Sequence, residues 1–306
     1  MGYKTAIVAF LLATVTLSLG YQDPLQLYDP IYPLSPGFIL SGGYDSFSAD
    51  RSWDNDGQPA SLSEQHRSES YMLIPIRLGY APGNLWHIDA VLPLVQPKTT
   101  VQAMGSTVTS SSFGLSNPWL SGSYMFAVAE SNVLRPRLAV KFPLSATTVE
   151  DYIAPGAIAT GDKNVNLDLT LSYASISEKT QFTVQAWLAG RYAFAADYEI
   201  EGVKSTRQPP FNIAGEVAPG WFWDKDGHWQ TYAVGNVMFD AREYAVDGYA
   251  FPNSKRARMA MGLRQAWVPA EEGELIFDFT YGLSGTNIST GFEFGLGYFG
   301  YIQMNG

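Results

Sequence analysis

From about Gly37 to Gln303 the sequence alternates apolar and polar residues at period two, in segments too long for an ordinary soluble sheet. Residues 165–173 put Val165, Leu167, Leu169, Leu171 and Tyr173 on one face and Asn166, Asp168, Thr170 and Ser172 on the other. Residues 275–283 repeat the pattern, with Leu275, Phe277, Phe279, Tyr281 and Leu283 against Ile276, Asp278, Thr280 and Gly282. Strands of soluble sandwiches usually run to about five or six residues. Strands of ~9–11 residues with one apolar and one polar face are what a bilayer requires of a closed barrel.

The spacing predicts about twelve strands, within a range of ten to fourteen. They fall near 37–48, 69–81, 85–97, 117–129, 133–146, 165–176, 181–196, 211–223, 229–241, 256–268, 274–284 and 291–303. Gaps after the even-numbered strands are short and rich in Gly, Asn, Asp, Ser or Pro, as at Pro82-Gly83-Asn84, Glu130-Ser131-Asn132 and Asp224 to His228. The alternate gaps are mostly longer, at 49–68, 98–116, 147–164, 197–210 and 242–255, with a shorter one at 285–290. Short turns at one end and long loops at the other are the asymmetry of outer-membrane barrels. The fold expected is all-β, a transmembrane antiparallel β-barrel with both termini periplasmic.

The N-terminus fits export. Lys4 precedes an apolar run from Ala6 to Val15, and Ser18-Leu19-Gly20 is a small-x-small cleavage site, so residues 1–20 read as a signal peptide. Residues 21–36 are proline-rich and read as an extended periplasmic segment, because proline is excluded from the middle of a sheet. Residues 37–306 form the barrel. Mean hydropathy of −0.06 hides this membrane character, because the two faces of each strand average out. The aromatic content of 14% and 29 glycines suit interfacial girdles and strand glycines. Cysteine is absent, so neither disulfides nor thiolate metal sites stabilise the chain. A net charge of −10 argues against nucleic acid as a partner.

Parity sorts the charges. Met72, Ile74, Ile76, Leu78 and Tyr80 share an outward face, as do Leu134, Leu138, Val140, Phe142 and Leu144, and Phe292, Phe294, Leu296 and Tyr298. Arg77, His87, Asp89, Arg135, Arg137, Lys141, Asp168, Arg191, Glu216, Arg256, Arg258, Arg264, Asp278 and Glu293 fall on the inward face, with Trp187, Phe222 and Phe299. A midplane Arg or Lys facing lipid costs ~2–4 kcal/mol, whereas a wet interior accepts it. Trp221, Trp223, Trp229 and Trp267 lie beside the predicted short turns, the level of an aromatic belt.

Several segments resemble the outer-membrane transporter-like family named for a putative role in meta-pathway phenol degradation. They are SPGFILSGGYDSFSADR at 35–51, YMLIPIRLGYAPGNLWHIDAVLPL at 71–94, FGLSNPWLSGSYMF at 113–126, RPRLAVKFPLSATT at 135–148 and TGDKNVNLDLTLSYA at 160–174. The resemblance implies a passive pore or transporter for small, often hydrophobic molecules, distantly similar to fatty-acid and aromatic-hydrocarbon transporters. One departure is the C-terminus, where Tyr301 is the last aromatic and Gln303-Met304-Asn305-Gly306 follow, in place of the terminal aromatic that barrel-assembly machinery commonly reads.

The inward charges admit two readings. One is a selectivity lining, with Arg135, Arg137, Arg256, Arg258 and Arg264 attracting anions. The other, favoured here, is a structural ladder in which these arginines pair with Asp168, Asp278, Glu216 and Glu293. Trp187, Phe222 and Phe299, with Tyr152 and Ile153, are candidates to line a path for an apolar or aromatic solute.

Catalysis is poorly supported. The three histidines, His66, His87 and His228, have no Gly-x-Ser-x-Gly motif beside them, and His228 is expected at the opposite end from the other two. Asp50, Asp54, Asn55, Asp56 and Gly57 approach a Ca²⁺ loop, but Ser63 stands where the EF-hand glutamate is required, so a polar turn is expected. The expected function is passage of small molecules without a cofactor. The expected partners are outer-membrane lipid, the solute and the barrel-assembly machinery. The alternatives are a non-conducting structural or adhesive surface barrel and, less favoured, an outer-membrane enzyme.

Overall fold

The computed structural model describes residues 36–83, 85–103, 106–129, 132–144, 160–177, 180–200, 202–224, 227–270 and 273–303. Twelve antiparallel strands form one closed sheet. They are β1 (Gly37–Trp53), β2 (Arg67–Ala81), β3 (Trp86–Ala103), β4 (Trp119–Tyr124 with Phe126–Ala129) and β5 (Asn132–Lys141). β6 (Asn166–Ser177), β7 (Phe182–Ala193), β8 (Asn212–Phe222), β9 (Trp229–Asp240), β10 (Ala257–Ala270), β11 (Gly273–Thr286) and β12 (Ile288–Gln303) complete it. Each strand pairs with its sequence neighbour. The sheet closes because β1 also pairs with β12, from Gly37 opposite Gln303 to Trp53 opposite Ile288. Closure leaves no unpaired edge, the condition for strands to sit in lipid.

The period-two pattern is realised in solvent exposure. Along β6, Leu167, Leu169 and Leu171 are 39%, 61% and 46% exposed on the outside, while Asp168, Thr170 and Ser172 are at most 1% exposed on the inside. The outer face is thus apolar and the inner face polar, the inverse of a soluble protein. Aromatic side chains gather at the short-turn end. Trp229 stacks on Trp267 at 5.5 Å, Trp86 meets Tyr124 at 4.7 Å, and Phe182 meets Trp221 at 5.4 Å. Rings at this level suit a membrane interface, where an apolar body and a polar N–H are both accommodated.

Strand boundaries depart from the sequence expectation in five places. β1 runs on to Trp53 and β3 to Ala103, so parts of the predicted loops 49–68 and 98–116 are strand. The extensions are stabilised by added pairing, with Pro59–Ser61 on β1 and Ser106–Ser111 on β3. The predicted loop 285–290 is instead a tight turn at Asn287, whose φ of 49° places it in the left-handed region that asparagine tolerates. Its side-chain amide donates to the carbonyls of Asn253 and Lys255 at 2.7 and 2.8 Å, which tethers the turn to its neighbouring loop. β5 ends at Lys141, short of the predicted 146. β4 is broken at buried Met125, whose N–H donates to the Leu85 carbonyl at 2.8 Å.

Two other features matter at the long-loop end. The segments after β7 and β9 form a second small sheet from Ala196–Ile200, Val203–Gln208, Ala245–Val246 and Tyr249–Ala250. A bulge near Asp50 shifts the register of β1 on β12 between Ala49 and Arg51. Opposite it stands Gly291, where a Cβ would run into the Ser48 backbone, so only glycine lets the strands approach at this point. Residues 1–35, and with them the expected signal peptide and nearly all of the proline-rich segment, lie outside the described residues. So do Tyr152 and Ile153.

Candidate functional site: the barrel interior

The inner face carries ion pairs across neighbouring strands, because alternate residues of adjacent strands share a face and lie within side-chain reach. On the β2–β4 wall, Arg77 donates to Asp89 at 3.0 Å, and the Ser121 hydroxyl donates to the other oxygen of Asp89 at 2.8 Å. His87 faces inward opposite Ser123, which is in turn opposite Arg137. On β5–β7, Arg137 donates to the Thr170 hydroxyl at 3.3 Å, Thr170 donates to Asp168 at 2.7 Å, and Arg191 reaches Asp168 at 3.0 Å. Arg191 also lies over the Trp119 ring at 4.7 Å. Arg135 points inward opposite Ser172. Arg77, Arg135, Arg137 and Asp168 are all at most 2% exposed.

The β8–β12 wall is arranged differently. Arg264 bridges two carboxylates, Glu216 at 2.9 Å and Asp278 at 2.7 Å, and all three side chains keep 12–18% exposure. Arg256 pairs with Asp240 at 2.7 Å, and Arg258 with Glu293 at 2.6 Å. Thr280 adds a hydroxyl to Glu293 at 2.7 Å. Between these charges lies an apolar cluster of Ala214, Met238 and Ile288, with Trp53 and Trp187 packed against it. Phe222 has the inward parity of Glu216 and is half-buried. Phe299 packs with Ile39 and Tyr301 near the short-turn end.

The predicted inward residues therefore share one interior, as two groups on opposite arcs of the wall. Sequence reasoning missed Asp240, the partner of Arg256, although it has the parity of Met238 and Val234 at the end of the predicted ninth strand. It also missed Asp162, which lies in a predicted loop without periodic signal and accepts from Lys141 at 2.7 Å. Glutamine and tyrosine also contribute: Gln185 donates to Tyr232, which donates to Gln230.

The histidines are dispersed. His66 is a left-handed residue at the long-loop end, and the His228 ring donates from Nδ1 to Asp224 at 2.8 Å in the β8–β9 turn. His87, the second residue of β3, lies at the same end as His228, against the expectation that the two are at opposite ends. Asp54 caps its own turn, accepting from the N–H groups of Asp56 and Gln58 at 3.0 and 2.8 Å, while Gly57 takes a φ of 72°. A cleft of about 580 Å³ opens beside this turn, lined by Asp50, Arg51, Pro59, Ser61, Leu62 and Arg67 among others.

No family model matches the sequence, and no curated protein sequence matches it. Solved structures do resemble it. An outer-membrane channel from Pseudomonas putida F1 superposes with a TM-score of 0.71 at 13% identity, over 90% of this chain and 99% of that one. The β domain of the Bordetella autotransporter BrkA superposes with a TM-score of 0.50 at 11% identity, over 88% of this chain and all of the other. At these identities the likeness is one of fold, that of outer-membrane β-barrels.

Proposed function

We propose that this protein is a passive channel of the bacterial outer membrane for small molecules, including apolar or aromatic ones. The observation that carries the reading is the interior: a polar, ion-paired lining in which the Arg264, Glu216 and Asp278 trio stays partly exposed, together with an apolar patch at Trp187, Met238 and Ile288. Small-molecule sites are typically apolar surfaces with a few placed polar groups. The likeness to the Pseudomonas channel supports the same reading. In it, Arg77, His87, Asp89, Arg135, Arg137, Asp168, Trp187, Arg191, Glu216, Phe222, Arg256, Arg258, Arg264 and Asp278 line the lumen. The chain is exported by its signal peptide, inserted by the barrel-assembly machinery, and oriented with its short turns in the periplasm. Membership of the family named for meta-pathway phenol degradation rests on the segments quoted above.

No catalytic role is assigned to any residue, since His66, His87 and His228 are not brought together. The test is solute flux. Liposomes carrying the folded barrel are expected to take up small aromatic compounds faster than protein-free liposomes. Equal rates across a panel of aromatic, aliphatic and hydrophilic solutes would remove the proposal.

A further inference from the structure

Residues 160–164 stand at the long-loop end and join three parts of the molecule. Their hub is Asp162. Both of its carboxylate oxygens accept from the Lys141 ammonium at 2.7 Å, and one also accepts from the Asn117 side-chain amide at 2.9 Å. Lys141 ends β5 and points inward, and Asn117 just precedes β4, so these bonds fix the strap to the wall. Thr160 adds a hydroxyl bond to the Leu115 carbonyl at 3.0 Å. On its other side the strap holds the small loop sheet. The Lys163 N–H donates to the Tyr198 phenol oxygen at 2.9 Å, and that phenol donates to the Asn164 side-chain carbonyl at 2.9 Å. The Asn164 amide then donates to the carbonyls of Phe194 and Arg207 at 2.7 and 3.3 Å. Arg207 lies over the Tyr198 ring at 4.9 Å.

We infer that residues 160–164 are a latch that keeps the loop sheet drawn over the barrel mouth, and that its release at Asp162 and Tyr198 widens the path into the interior. The chemistry favours a switchable element over permanent packing. The contacts are polar and directional, and they converge on two side chains, Asp162 and Tyr198. Asp162 keeps 43% of its side chain exposed while Lys141 keeps only 9%, so the strap is anchored on its inner side and open to water on the other. Tyr198 is 4% exposed, and burial foremost, then the Asp162 carboxylate, pushes its phenol above the ordinary range. The phenol therefore remains a hydrogen-bond donor at any physiological pH. Hydrogen bonds to a charged group contribute more than neutral ones, so losing the Asp162 pair is enough to shift a two-state element.

The inference rests on the channel reading, and the experiment separates the two. The chain has no cysteine, so Lys163→Cys supplies one reporter thiol on the strap. Its labelling by a membrane-impermeant maleimide and the single-channel current are measured in the parent, with Asp162→Asn, and with Tyr198→Phe. Asp162→Asn preserves shape and removes the counter-charge of Lys141. It is expected to raise the labelling rate about tenfold, the equivalent of ~1.4 kcal/mol, and to raise conductance with it. Tyr198→Phe, which removes one hydroxyl, is expected to do the same to a smaller extent. Unchanged labelling and current in both variants, on a parent that conducts, would overturn the latch and leave the channel reading standing. Faster labelling with no current in parent or variants would overturn the channel reading, and the gate with it.

Discussion

The two arcs of the inner wall use the same residue types to opposite ends. On β2–β7 the carboxylates are sealed: Asp168 is fully buried, shared by Thr170 and the partly exposed Arg191, and Asp89 is nearly as inaccessible beside buried Arg77. On β8–β12 the Arg264, Glu216 and Asp278 trio stays partly open to the interior, beside the apolar patch at Trp187. A sealed ion pair contributes by not being broken, since one partner left alone in low dielectric is strongly destabilising. An open trio contributes less to stability and more to the electrostatic field of the interior. In the channel proposed above, this difference would give architecture to the sealed pairs around Asp168 and selectivity to the Arg264 trio.

The sharpest way to break that division is Asp168→Ala. It leaves Arg191 without its carboxylate and Thr170 without its acceptor, and is expected to cost about 3–5 kcal/mol. The measurement is the fraction of chain that migrates as folded, heat-modifiable barrel in detergent. A variant that folds as well as the parent and only alters selectivity would reverse the roles of the two arcs. Arg264→Gln comes next. It leaves Glu216 and Asp278 without their shared cation, while the barrel is expected to fold. Each uncovered carboxylate attracts a cation ~8 Å away by on the order of 2 kcal/mol at an effective dielectric of ~20. Reversal potentials in a salt gradient are therefore expected to move toward cation preference.

Trp187→Ala should have a smaller effect. It removes the half-buried ring packed on Ala214, Met238 and Ile288, a loss of roughly 2 kcal/mol, about half the ~3–5 kcal/mol usual for truncating a buried aromatic. Aromatic solutes that alter the parent's tryptophan fluorescence are expected to lose most of that effect. An undiminished response would place their path elsewhere.

The smallest effect lies outside both arcs, in the β8–β9 turn. Asp224 accepts from the N–H groups of Trp229 and His228 and from the His228 ring, and the Trp229 bond first of all holds its carboxyl below the ordinary range. Because the folded value is depressed, the stabilisation is complete above the unfolded carboxylate pKa and is lost as pH falls through the folded one. Asp224→Asn should therefore lower the melting temperature slightly at neutral pH and converge with the parent at low pH, which flattens the acid limb of the thermal-melt profile.

Much of the barrel was legible because its determinants are local. Parity along Val165 to Tyr173 requires only that alternate side chains face opposite ways, and gap lengths follow from which end of the barrel a hairpin occupies. Arg264 and Asp278 were placed inside by parity, although their mutual pairing depends on strand register. The strand extensions to Trp53 and Ala103 were not legible. They are held by pairing with Pro59–Ser61 and Ser106–Ser111, segments that lack alternation of their own. The Asp162 hub was hidden for a related reason, since its partners come from Lys141, Asn117 and, through Asn164, Tyr198, at long sequence separations. Nor does strand periodicity reveal how an open carboxylate differs from a sealed one, which is decided by what lies across the lumen.

The most direct test of the channel account is single-channel recording from the purified, folded barrel in a planar bilayer. The account predicts discrete conducting steps whose ion preference shifts in Arg264→Gln. A folded barrel that inserts and yet passes no current, in parent and variant alike, would contradict it.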